Sequence, residues 1–84
     1  MTGTEAQAHK QDVGVLYDSE VKEFPYKEHE KVTELLERAK HAFGVVSNHL
    51  LSLFAPNGGE LPDDKSLAAA GEELVLGQSV VKGG

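Results

Sequence analysis

The chain has 84 residues, and its 8 Lys and Arg against 14 Asp and Glu leave a net charge of −6, which excludes a strongly cationic nucleic-acid or membrane-surface binder. With Cys 0 there is no disulfide framework, thiolate metal site or cysteine nucleophile, so the chain must fold on its apolar residues alone. Leu, Val and Phe supply 22 of the 84 residues, above the level of roughly one fifth below which chains stay unfolded, and one small domain with a modest core is expected.

Residues 1–11 are small or polar with no apolar period. They are expected to form a disordered leader ahead of a domain over 12–77 and a flexible tail over 78–84. No apolar signal core and no continuous apolar span of about 20 residues is found, so a soluble, cytoplasmic chain is expected. Val13-Gly14-Val15-Leu16-Tyr17 is β-branched and aromatic and predicts a strand; Asp18-Ser19-Glu20 is turn chemistry, and Val21 to Tyr26 resumes extended character. These make a hairpin. Pro25 has no N–H for a ladder, so the second strand is expected to lie at a sheet edge or to leave the sheet near Pro25.

From Val32 the apolar period changes: Val32, Leu35, Leu36, Ala39 and Phe43 form one stripe of a three-turn helix. Acids gather toward its start and bases toward its end, complementing the macrodipole, and Glu34 and Arg38 are spaced as an i,i+4 pair. Gly44 directly after the stripe predicts a left-handed stop. Leu50 to Phe54 is a strand-length apolar run closed by the turn residues Pro56-Asn57-Gly58-Gly59. Leu61 marks a further short strand, Leu67 and three alanines a helical turn ending at Gly71, and Glu73 to Leu76 a last strand. Gly14 and Gly77 interrupt strands without an evident sequence reason.

The order strand, strand, helix, strand, short strand, strand reads as α+β, with a mixed four- to five-stranded sheet wrapped on one helix. One helix covers only one face of such a sheet, so the other face is a natural contact surface. Leu51, Leu53, Ala55 and Val75 are candidates for an apolar partner patch there, with Leu50 and Phe54 on the opposite side of the strand; a slip of one residue exchanges the two sets.

The hairpin, the helix with its Ala42-Phe43-Gly44-Val45 exit, the strand Leu53-Phe54-Ala55, the stretches Gly59-Glu60-Leu61 and Asp64-Lys65-Ser66-Leu67, and the ending Lys82-Gly83-Gly84 together resemble ubiquitin and its relatives, the β-grasp family. The turn at Pro56 to Gly59 is longer than ubiquitin's, and the segment from Leu67 to Leu74 is shorter. Lys82 is the only basic residue where ubiquitin has arginines beside its di-glycine, and in this the chain looks more like the bacterial ubiquitin-like modifiers.

The resemblance implies a protein modifier: an ATP-dependent adenylating enzyme activates the Gly84 carboxylate, a cysteine-bearing conjugating enzyme carries it as a thioester, and an amine of a target protein receives it. A deconjugating peptidase completes the set of partners. Gly84 would bear the reacting carbonyl, Gly83 the clearance, and Ser79, Val80, Val81 and Lys82 the recognition stem. The same tail fits a sulfur carrier with a C-terminal thiocarboxylate, and the same fold fits a non-covalent interaction module.

Other constellations are bland. His9, His29, His41 and His49 lack metal-ligand spacing, and no cofactor or metal is expected. Glu60, Asp63 and Asp64 read as a solvated acidic turn. No nucleophile elbow or phosphate loop is present, so an enzyme is not expected.

Overall fold

In the computed structural model, which describes residues 11–46 and 50–82, β1 (Gln11–Tyr17) and β2 (Glu20–Tyr26) form the expected antiparallel hairpin. Asp18 and Ser19 link them with φ of 52° and 69°, the left-handed pair that lets a two-residue turn follow the strand twist. Neither is glycine, so both carry steric strain from their Cβ atoms. Ser19→Gly is expected to raise stability by about 0.5–1 kcal/mol, measured as a higher midpoint of urea unfolding at unchanged m-value. The strand also begins inside the predicted leader: Gln11 pairs with Tyr26, whose hydroxyl donates to Gln11 Oε1 at 2.9 Å. The rest of the predicted leader lies outside the described residues.

Helix α1 (Val32–Phe43) buries Val32, Leu35, Leu36 and Ala39, as the stripe requires. Lys31 is a poor N-cap residue, so the first turn finds other acceptors. Val32 N–H donates to Lys65 O and Thr33 N–H to Asp63 O, which ties the 62–67 loop to the helix start. The Lys31 N–H in turn donates to Glu34 Oε1 at 3.0 Å. Glu34 is thereby committed to the cap, and Arg38 pairs with Glu30 at 2.7 Å rather than with Glu34 as the spacing suggested. Gly44 ends the helix at φ 63°. Phe43 lies 5.4 Å from Tyr17 and 6.5 Å from Phe24 between ring centroids, clamping the helix end to the hairpin.

Strand β3 (Leu51–Phe54), the turn helix α2 (Leu67–Ala70) and β4 (Glu73–Gln78) complete the fold. The four strands lie in the order β2-β1-β4-β3, with β1 and β4 parallel at the centre and both outer pairs antiparallel. Pro25 is therefore on an edge strand, as predicted. The short strand expected at Leu61 is reduced to one bridge between Phe54 and Glu60: Leu61 N–H donates to Leu53 O, and Pro62, which follows, has no N–H to continue a ladder. Val13, Val15, Leu53, Leu74 and Leu76 from the sheet meet the buried stripe of α1. The helix lies on this inner face and leaves the outer face uncovered by any other helix of three turns among the described residues.

Candidate functional site

Strand register decides what the outer face displays. Leu16 is opposite Val21 on β2 and Val75 on β4, and Val75 is opposite Phe54 on β3. Val21, Leu16, Val75 and Phe54 thus form one apolar row across all four strands, with Val21 59% and Leu16 37% exposed. One step along, Gly14 is opposite both Glu23 and Glu73, so an acidic row runs beside the apolar one. A shallow cleft of about 290 Å³ opens over the two rows.

Two glycines that the sequence left unexplained shape this surface. A Cβ at Gly77 would lie 3.4 Å from Phe54 Cε1, and one at Gly14 would lie 3.1 Å from Glu23 Oε2. Gly77 gives the Phe54 ring its seat, and Gly14 leaves the notch between the two glutamates.

The predicted patch needs correcting by one residue on β3. Leu53 is fully buried in the core and Leu51 packs against it, so the outward side chain is Phe54. Ala55 likewise packs against the core. Of the four residues predicted for the patch, only Val75 lies on the exposed row. The physical reason is the buried inner set Leu53, Leu74 and Leu76: with Leu53 opposite Leu76, alternation along β3 sends Phe54 outward.

The stem of the tail follows β4. Ser79 N–H donates to Leu50 O at 2.8 Å, extending the sheet edge by one bond. Glu60 then gathers the stem. Its Oε2 accepts Ser52 Oγ–H at 2.7 Å and Ser79 Oγ–H, while its Oε1 accepts the N–H groups of Val80 at 2.8 Å and Val81 at 3.2 Å. Ser79 Oγ itself accepts from Val81 N–H at 3.2 Å and Lys82 N–H at 2.8 Å. Lys82 Nζ closes the arrangement, donating to Leu51 O at 2.9 Å and lying 2.8 Å from Asp63 Oδ1. That Asp63 oxygen is buried without a hydrogen-bond partner, so the Lys82 ammonium supplies its charge compensation. Val80 and Val81 keep their side chains outward, 76% and 78% exposed.

Over its described part the predicted flexible tail, 78–84, is held instead: Gln78 belongs to β4, and residues 79–82 are bent and hydrogen-bonded. Gly83 and Gly84 lie outside the described residues. Glu60 and Asp63, read from sequence as a solvated turn, are the stem's partners.

The Ser79 and Ser52 hydroxyls and the Val80 and Val81 amides hold the Glu60 carboxyl down to about 2, from an ordinary 4.5, against the opposing effect of its partial desolvation. A depressed carboxylate contributes stability above its ordinary value and loses it as pH falls through the folded value. The stem contacts are expected to be complete above about pH 4.5 and lost progressively toward pH 2. Carboxyl NMR titration should place the Glu60 midpoint near 2, with Ser79→Ala raising it toward 4.5. Asp63 and Lys82 are the other ionisable groups facing the stem.

The remaining candidates gather no ligand. His29 and His41 are exposed, and no group of three or more His, Cys, Asp or Glu suited to a metal occurs among the described residues; His9 and His49 lie outside them. An open cleft of about 650 Å³ between the end of β2 and the start of α1 is lined by Lys27, His29, Glu30, Glu34 and Arg38 among others. Its carboxylates are engaged within the chain: Glu30 pairs with Arg38 and accepts the Lys27 backbone N–H, and Glu34 accepts the Lys31 backbone N–H. No helix among the described residues is long and apolar enough to cross a membrane.

No protein-family model and no curated protein matches the sequence. Among solved structures, the solution structure of the N-terminal ubiquitin-like domain in the 4931431F19Rik protein is similar, with a TM-score of 0.65 and 18% identity over 90% of this chain and 81% of that one. At this identity the likeness is one of fold. Together with the mixed four-stranded sheet and single long helix, it assigns the α+β, ubiquitin-like β-grasp fold.

Proposed function

We propose that this ubiquitin-like domain is a protein modifier, the substrate of conjugating enzymes rather than a catalyst, which reacts through a carboxylate at Gly84, present as the chain end or exposed by cleavage after it. The observation that carries the reading is a ubiquitin-like fold whose last strand leads, through the Ser79–Lys82 stem, to Gly83-Gly84. The Gly84 carboxylate oxygen attacks the α-phosphorus of ATP and displaces pyrophosphate. A partner's thiolate displaces AMP to give a thioester, and a target amine displaces that thiolate to leave an amide bond. This chain has no cysteine, so the thiol belongs to the partner. It supplies the acyl end, the exposed Val80 and Val81 side chains that a partner reads, and two residues without side chains where the backbone must approach reactive groups closely.

The outer row of Val21, Leu16, Val75 and Phe54 supports a second, non-covalent contact. Its neighbours Glu23 and Glu73 suit a partner with an apolar anchor flanked by Lys or Arg. The test is intact-mass and peptide analysis after incubation with ATP and extract from the native cell. ATP-dependent amide adducts through Gly84 are expected. An exchange of oxygen for sulfur on the free protein would instead favour a sulfur carrier, and partner binding that ignores loss of the tail would favour a purely non-covalent module.

A further inference from the structure

The Glu60 cluster joins parts of the chain that have no reason to meet in a solvated turn. Ser52 is fully buried on β3, Ser79 is buried just past β4, and one carboxylate bridges them while taking two amides of the stem. Lys82 then reaches back to Leu51 O, next to Ser52 at the start of β3, and to Asp63. Asp63 is itself fixed by the helix start, through its carbonyl on Thr33 N–H. A stem held this way is bent, with the amides of residues 80–82 turned inward.

We propose that Glu60 is the anchor of a tail dock, which holds residues 79–82 closed against β3 and sets the balance between this bent form and an extended one. An extended strand cannot keep the same contacts. Ser79 Oγ accepts the amides of the second and third residues after it, a local bend that straightening destroys. Any enzyme that threads the tail as an extended segment must first open the dock, so Glu60 is a positioning residue that holds down the population able to react. The dock itself stands on the contacts of the free protein; only its effect on reaction rests on the modifier reading.

The test is native-state amide exchange by NMR on the full chain, comparing wild type, Glu60→Ala and Ser79→Ala. In the wild type the amides of Val80, Val81 and Lys82 are expected to exchange at least about 10-fold slower than in an unstructured peptide. Glu60→Ala should remove that protection while amides of β1 and β4 keep theirs. Ser79→Ala, which leaves Glu60 in place, should release Lys82 most. Stem amides that exchange at the peptide rate in the wild type, or that stay protected in both variants, would overturn the dock. If Glu60→Ala also exposes the β1 and β4 amides, Ser79→Ala decides by the same criterion. With ATP and the activating partner, Glu60→Ala is expected to raise kcat/KM for adenylation. No adenylation of either protein would count against the modifier reading and leave the dock intact, whereas adenylation at equal rates would show that the dock does not limit it.

Discussion

Leu53→Ala is expected to cost about 2–5 kcal/mol of folding stability, most of what a domain of this size holds. Leu53 is fully buried, sits opposite Leu76 on β4, and belongs to the cluster that packs against α1. Truncating it leaves a cavity between a short edge strand and the helix, where few neighbours can collapse inward. Phe54→Ala, one residue on, should cost less than about 1.5 kcal/mol, because its half-exposed ring lies outside the core, over Gly77. The two variants together test the register of β3 by urea unfolding. A large loss at Phe54 with a small one at Leu53 would mean that the strand is turned over. The same swap would put Phe54 in the core and return the predicted patch residues Leu51, Leu53 and Ala55 to the surface.

The helix and hairpin were legible because their information is local. The stripe from Val32 to Phe43, the stop at Gly44 and the edge position of Pro25 each follow from a few neighbouring residues, and each appears in the fold. The β3 patch failed because alternation along a four-residue strand such as Leu-Ser-Leu-Phe fits either face when both sets contain large apolar residues. Long-range pairing with Leu76 and Gly77 chooses between them, and strand spacing does not encode it. Gly77 was the available signal: a glycine in a central strand marks a place where something large approaches, here Phe54.

The tail dock was hidden for a different reason. Glu60, Ser52 and Ser79 are separated by 8 and 19 residues along the chain, and an acid near a Pro-Asp-Asp turn looks solvated until the end of β4 is brought beside it. In the sequence Lys82 reads as the lone basic residue of the tail and as part of its recognition stem. Its function in the fold is to neutralise a buried oxygen of Asp63, a pairing with no periodic signature.

Deleting Gly84, or replacing Gly83 by Val, is expected to reduce ATP-dependent adduct formation on the order of 100-fold or more while leaving the urea midpoint unchanged. Both positions follow in sequence the last strand, which ends at Gln78, and the stem residues 79–82 whose contacts form the dock. On the proposed modifier reading their effect falls on the chemistry: loss of Gly84 would move the reacting carbonyl back by a residue, and a β-branched side chain at 83 would crowd the backbone where phosphate and thiol must reach it. Lys82→Ala provides the contrast. It removes the ion pair to Asp63 and the bond to Leu51 O, which loosens the dock without obstructing the carbonyl, so adducts should persist. Intact mass and adduct yield under identical ATP give the comparison. Undiminished adducts from the Gly84-deleted chain would show that the acyl chemistry lies elsewhere, and equal loss in Lys82→Ala would assign the tail's importance to the stem rather than to its two glycines.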